Sequence, residues 1–196
     1  RTAPTLRAFD RTGHRLDVVD FHPGWAEFLT LAFAQGMHGR AWIAPTPGAH
    51  VARAAHYLMH GQVEAGSLCP ITMTSAAIPL LMREPWFTAL QPRLASGQYD
   101  GRDIPVSAKQ SMMVGMGMTE KQGGSDLRSN VSRAEPAGDG WFHLTGHKWF
   151  FSSPMSDAHL MLARDGDGHS CFYVPRWLDD GRRNPVRILR LKDKLG

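Results

Sequence analysis

"GMGMTEKQGGSDLRSN", Gly115 to Asn130, stands between two halves of a 196-residue chain that obey different periodicities. Before it, apolar residues recur at helical spacing; after it, short alternating runs are broken by Gly-Asp turns. The stretch itself holds a threonine, two adjacent glycines, a serine and an aspartate with almost no bulk among them. Such residues give up packing and conformational order. Either a tight turn or a ligand must recover that loss.

Working upstream, Arg1 to about Pro23 reads as polar and irregular. "PGWAEFLTLAFAQGMHGRAWIA" places Trp25, Phe28, Leu29, Ala32 and Phe33 on one helical face, with Gly36 and Gly39 at the expected stop. Pro45 and Pro47 make "APTPGA" a loop. Further helices are predicted from about Ala49 to Ala65 and from about Thr72 to Met82. "REPWFTALQPRLASGQYDGRDIP" reads as loop with short helical turns. Working downstream, "SMMVGMGM" predicts a buried strand. "NVSRAEP" and "WFHLTGHKWFF" are joined by Gly138-Asp139-Gly140, and "AHLMLAR" and "SCFYVPR" by Asp165-Gly166-Asp167-Gly168, both hairpin signals. "NPVRILRLKDK" predicts one more strand. The fold class is therefore α+β, with a helical domain over 1–108 and an antiparallel β domain over 109–196.

Hydrophobic residues make up 42% and charged residues 20%, as in a globular protein with a real core. No apolar run reaches the roughly 18 to 20 residues of a membrane helix, so no membrane partner is expected. The net charge of +4 permits a polyanionic partner without demanding one. Its basic residues gather between Arg176 and Lys194, which reads as a solvated face. Cys69 and Cys171 lie in apolar surroundings and read as buried thiols of a reducing, cytoplasmic compartment. The chain opens on Arg1 and stops on Gly196, which reads as trimming at the start and a cut within a loop at the end.

Three constellations invite chemistry. His56, His60 and Glu64 recur every four residues on one helix face, a spacing metal sites use; a polar solvent-facing stripe explains them as well, and no metal is assigned. "DGDG" lacks the further oxygen ligands and closing glutamate of a calcium loop, so a hairpin turn is expected. Gly115-x-Gly117 lacks the third glycine and βαβ context of a dinucleotide fingerprint. What remains is a strand end carrying Met116, Gly117, Met118 and Thr119, then Gly123, Gly124 and Ser125. Glycines there tolerate positive φ and let successive amides form an anion-binding nest. A partner motif, "GHKWFFSSP", sets Trp149, Phe150 and Phe151 directly before Ser152 and Ser153. If this is a strand, its aromatics alternate between faces, and one could pack on a planar ligand.

Taken together, "GMGMTEKQGGSD", "LTGHKWFFSS", "DAHLMLAR" and "RLKDKLG" resemble the middle domain of the acyl-CoA dehydrogenase family. "QVEAGSLCPITMT" and the lysine of "TEKQGGSD" resemble its AidB-like branch, the alkylation-response flavoproteins of bacteria. The resemblance spans about Leu16 to Gly196. It implies a helical amino-terminal domain, a β-barrel-like middle domain and a carboxy-terminal helical bundle that this chain lacks. It implies FAD between the β domain and that bundle. Met116 to Ser125 would line one side, with the Thr119 hydroxyl on the pyrimidine edge and Ser125 toward the phosphates or an acyl-CoA thioester. Phe150, Phe151 and Ser152 would form the other wall, Ser152 near flavin N5. The catalytic base would come from the absent bundle, so no catalytic residue is assigned. Phe150-Phe151-Ser152 replaces the family's Trp-Ile-Thr or Trp-Ile-Ser, and Glu120-Lys121 replaces Glu-Pro; both departures point away from ordinary fatty acyl-CoA turnover. The implied function is FAD-dependent α,β-dehydrogenation of an acyl-CoA by a homotetramer. The alternative is a DNA-associated protective flavoprotein whose DNA-binding surface lies mainly on the bundle.

Overall fold

A computed structural model describes residues 3–193. The amino-terminal stretch expected to be irregular is a hairpin, with β1 (Thr5–Phe9) antiparallel to β2 (Arg15–Asp20). Its alternation is hidden by charge, because its inward face carries Asp17 beside Val19, and polar pairs add to that burial. Arg7 forks onto Asp20 across the strands, and the Asp10 carboxylate accepts the Thr12 and His14 amides through the turn.

Five helices follow: α1 (Pro23–Ala34), α2 (Arg40–Ile43), α3 (Ala49–Val63), α4 (Leu68–Leu81) and α5 (Phe87–Ala95). Pro23 opens α1, where its missing N–H costs nothing, and His22 Nδ1 accepts the Gly24 amide at 3.1 Å. The same helix stops at Gly36, φ +65°, where Met37 N–H reaches Ala32 O and Gly36 N–H reaches Phe33 O. That double bond closes the last turn and needs a residue tolerant of left-handed φ. Helix α4 starts four residues earlier than its sequence pattern suggests, and α5 is a nine-residue helix where mainly loop was expected.

The second half is a five-stranded sheet of β3 (Val114–Gly117), β4 (Arg133–Gly138), β5 (Trp141–Thr145), β6 (Ala158–Asp165) and β7 (Gly168–Pro175). The α+β class holds, but the sheet is mixed rather than antiparallel. β4–β5 and β6–β7 are the two expected hairpins, whereas β3 and β4 both run parallel to β6. Parallel pairing requires a long crossover, and between β3 and β6 it is residues 118–157, which include the β4–β5 hairpin. Two further expectations fail here. "WFHLTGHKWFF" leaves the strand at Thr145, and residues 185–193 form no strand among the described residues. Instead the Ile188 main chain is held by side chains of β2, its N–H on Asp17 Oδ1 and its carbonyl under Arg15. Lys194 lies outside the described residues. Cys171 is exposed and Cys69 half-buried, against the expectation of two buried thiols.

One core joins helices to sheet: Ala77, Ile78, Leu81, Phe87 and Leu94 pack with Met112, Val114, Ala158 and Leu160. Thr74 is the polar stitch across that seam. Its hydroxyl donates to Pro70 O within α4 and accepts the Val114 amide at 3.1 Å, fixing where β3 begins. Beside it, Lys109 and Asp157 form a buried ion pair at 2.6 Å, and Asp157 also accepts the Met113 amide. Burying two charges is costly unless all their bonds are made, so this pair defines the approach of the segment before β3 to the start of β6. No helix among the described residues is long and apolar enough to cross a membrane.

Candidate functional site

The strand end and the aromatic segment, 30 residues apart in sequence, meet in the fold. Trp149 N–H donates to Thr119 O at 2.9 Å. Gly117 faces the Phe151 ring so closely that a Cβ would overlap it, and at Gly115 a Cβ would lie 2.6 Å from His159 Cδ2. The glycines of "GMG" therefore exist to admit Phe151 and His159 against β3 rather than to bind phosphate. His159 is enclosed, its Nε2 3.3 Å from Ser153 O, and burial holds its imidazole down to about 4. It is neutral at pH 7 and acts as a spacer under Phe151, with ring centroids 4.7 Å apart.

Glu120 is the unexpected centre. Its carboxylate accepts Lys148 Nζ at 2.7 Å, the Val131 amide at 2.7 Å, the Ser132 amide at 3.1 Å and Gln122 Nε2 at 2.8 Å. Burial by itself would raise its pKa; these donors, Lys148 foremost, outweigh that and bring it to about 2. A carboxylate 1% exposed and so held cannot serve as a general base. Beneath it, Asn130 is fully buried and donates to Met118 O at 2.7 Å.

The other expected residues sit differently. Met116 and Met118 are partly buried against the main core. Gly124 and Ser125 are exposed on the loop, while Gly124 approaches Thr119 Cγ2 and Gly123 packs on Ser129. The expected nest is not formed: Gly123 N–H donates to Glu120 O, and neither Gly123 nor Gly124 has a left-handed φ. Residues 146–157 are not a strand, so the aromatics do not alternate. Phe150 takes φ +55° and is 56% exposed, with Lys192 Nζ 3.3 Å from its ring centroid. Arg190 and Lys192 also lie over Trp149, at 5.1 and 5.3 Å. Ser152 is half-buried between Phe151 and the enclosed Ser153.

Thr119, half-buried, makes no side-chain hydrogen bond among the described residues. That hydroxyl directly precedes the buried Glu120 and can donate or accept as a ligand requires. The notional metal stripe is otherwise engaged: His60 Nε2 meets Ser67 Oγ at 2.8 Å, and Glu64 accepts the Gly66 and Ser67 amides. No group of metal-ligating residues forms among the described residues.

Sequence reasoning paired the two motifs that meet here but did not find what fastens them. Glu120 was visible as a loop-flanking carboxylate and Lys148 as a lone lysine before the aromatics, yet nothing local links two residues 28 apart.

Comparison with known proteins places this arrangement. The model of the adaptive response protein AidB N-terminal domain matches residues 1–101, and that of the acyl-CoA dehydrogenase middle domain matches residues 115–196. The chain is 52% identical to AidB of Escherichia coli (strain K12) over 98% of its own length and 36% of that protein's. Among solved structures, Caenorhabditis elegans ACDH-11, in complex with C11-CoA, superposes with a TM-score of 0.83 at 25% identity, over 98% of this chain and 34% of that one. The apo form of Bd2924 superposes at 0.81 with 29% identity, over 98% and 40%. The chain thus spans about a third of the length of the relatives it matches, and it belongs to the AidB-like branch of the acyl-CoA dehydrogenase family.

Proposed function

We propose that this chain is the flavin-binding portion of an FAD-dependent acyl-CoA dehydrogenase homologue of the alkylation-response type, divided near residue 108 into a helical and a β domain. The observation that carries the reading is the junction of the two motifs, in which Trp149 N–H donates to Thr119 O beside a threonine hydroxyl that makes no hydrogen bond among the described residues. Family membership supports FAD as the cofactor, and the neighbour solved with C11-CoA supports an acyl-CoA thioester as substrate.

Bound flavin would supply the acceptor for a substrate β-hydride, the protein tuning and orienting it. Thr119 would donate its hydroxyl proton to the pyrimidine edge, where negative charge collects on reduction. Phe151, immobilised against Gly117 and His159, would set the floor of the ring site. Phe150 and Ser152 would complete that wall, and the exposed Ser125 would lie toward the phosphates. Glu120 is excluded as the α-proton acceptor by its burial and ion pair, so the base lies outside this set of residues.

The test is the visible absorption spectrum of the purified chain after incubation with FAD and desalting. Flavin bands, with FAD released on denaturation, are the expected result; a chain that remains colourless contradicts the proposal.

A further inference from the structure

We propose that the buried Glu120–Lys148 pair is a positioning clamp that sets the spacing between the two walls of the candidate flavin site. The flavin component of this statement rests on the function proposed above; the spacing component rests on geometry alone.

The two residues are placed for that task by their chain neighbours. Glu120 follows Thr119 directly, and Lys148 precedes Trp149 directly. Their 2.7 Å contact thus lies one residue along from the Trp149 N–H to Thr119 O bond, at 2.9 Å, on both segments. Two adjacent cross-links fix both separation and register, whereas a single main-chain bond leaves a hinge. The pair is almost wholly enclosed, with side-chain exposures of 1% for Glu120 and 9% for Lys148. In such surroundings a carboxylate is tolerated only when its lone pairs are met. Glu120 meets them on four donors from three segments: Lys148, Gln122, and the amides of Val131 and Ser132. Its main chain is also tied, since Glu120 and Gly123 exchange N–H to O bonds at 2.9 and 3.2 Å. Glu120 therefore anchors the root of the glycine loop while Lys148 carries the aromatic segment onto it.

The other buried pair, Lys109–Asp157, makes the contrast informative. It is equally enclosed, at 4% and 6%, and has equally short geometry, but it fastens the approach to β3 against the start of β6, and neither residue belongs to either wall. A purely structural function for Glu120–Lys148 would make the two pairs interchangeable in their consequences. A clamp would not.

The experiment compares Lys148→Met and Glu120→Gln with Lys109→Met as a destabilised control, each measured in the full chain by amide hydrogen exchange and by FAD binding. The expected result without flavin is that Trp149 N–H exchanges at least about tenfold faster in Lys148→Met. Glu120→Gln keeps a carbonyl for the amides and loses only the charge, so its Trp149 exchange is expected between wild type and Lys148→Met. Amides in the β6–β7 ladder should keep their protection. Lys109→Met should leave Trp149 exchange unchanged relative to those amides. With flavin, Lys148→Met should raise the FAD Kd about tenfold or more, and Lys109→Met should not. Unchanged Trp149 protection in Lys148→Met overturns the clamp, as does an equal, molecule-wide loosening in both lysine variants. If the wild-type chain binds no FAD while Trp149 still loosens selectively, the clamp stands as a spacing device and the flavin reading falls.

Discussion

The base and the rim of the candidate site contrast sharply although Glu120 of the one and Gly124 of the other lie four residues apart. At the base, Gly117, Glu120, Asn130 and His159 are enclosed, and Glu120 and Asn130 make bonds that cross between segments. At the rim, Gly124, Ser125 and Phe150 are exposed, and Phe150 holds a left-handed φ under a lysine from the tail. A base built this way exists before any ligand arrives, so its ordering entropy has been met by folding. The rim keeps its freedom, and a cofactor that stacks on Phe150 must displace or share Lys192. Specific geometry belongs to the base and adaptability to the rim.

Among the substitutions, the largest expected effect comes from invading the base. Gly117→Val would drive a branched side chain into the Phe151 ring, and overpacking of this kind costs about 1–3 kcal/mol. Chemical denaturation should show a loss in that range, with Phe151 displaced; an unchanged midpoint would mean that the base is soft.

Acid should attack the same layer. Burial holds His159, and likewise His38 beneath Phe33, down to about 4 from an ordinary 6.5. Between those values the unfolded chain takes up protons that the native state refuses. Stability is therefore expected to fall as pH drops from about 6.5 to 4, each histidine contributing up to about 3 kcal/mol. Glu120 extends the loss from about 4.5 toward 2, as its carboxylate is forced to protonate. Urea midpoints at pH 7.5 and 4.5 measure this directly, and equal midpoints would contradict the enclosed, neutral histidines.

A smaller effect separates binding from folding. Thr119→Val retains shape and removes one hydroxyl worth about 1 kcal/mol, so FAD should bind roughly fivefold more weakly. Its thermal midpoint should barely move, because that hydroxyl makes no bond among the described residues. Loss of stability without loss of affinity would reassign Thr119 to the scaffold. Smallest of all is Gly124→Ala on the rim, where the new methyl would sit 3.0 Å from Thr119 Cγ2 in an exposed loop. A change within about 0.5 kcal/mol is expected, and a cost equal to that of Gly117→Val would erase the distinction between base and rim.

The sequence disclosed what is periodic or punctuated. Helices α1 and α3 and both Gly-Asp hairpins are readable because local spacing encodes them. It concealed what depends on distant partners. β1–β2 was hidden because a charged residue, Asp17, shares its inward face with Val19, and the parallel placement of β3 on β6 because no local pattern announces a crossover. The tail resembled a strand in its alternation of Val186, Ile188 and Arg190, yet the Ile188 main chain is bound by Asp17 and Arg15. In the site, the glycines were legible but their purpose was not: they admit side chains of this same chain. Glu120 and Lys148 illustrate the limit best, since an ion pair across 28 residues leaves no mark on either neighbourhood.

The most direct test of the central claim, that the base is a pre-formed flavin wall, is amide hydrogen exchange of the wild-type chain with and without FAD. The account predicts that Trp149 N–H and Glu120 N–H are already protected in the free chain. FAD should then slow exchange chiefly over residues 117–125 and 148–153. Protection appearing elsewhere, or base amides that exchange freely until FAD is added, would contradict it.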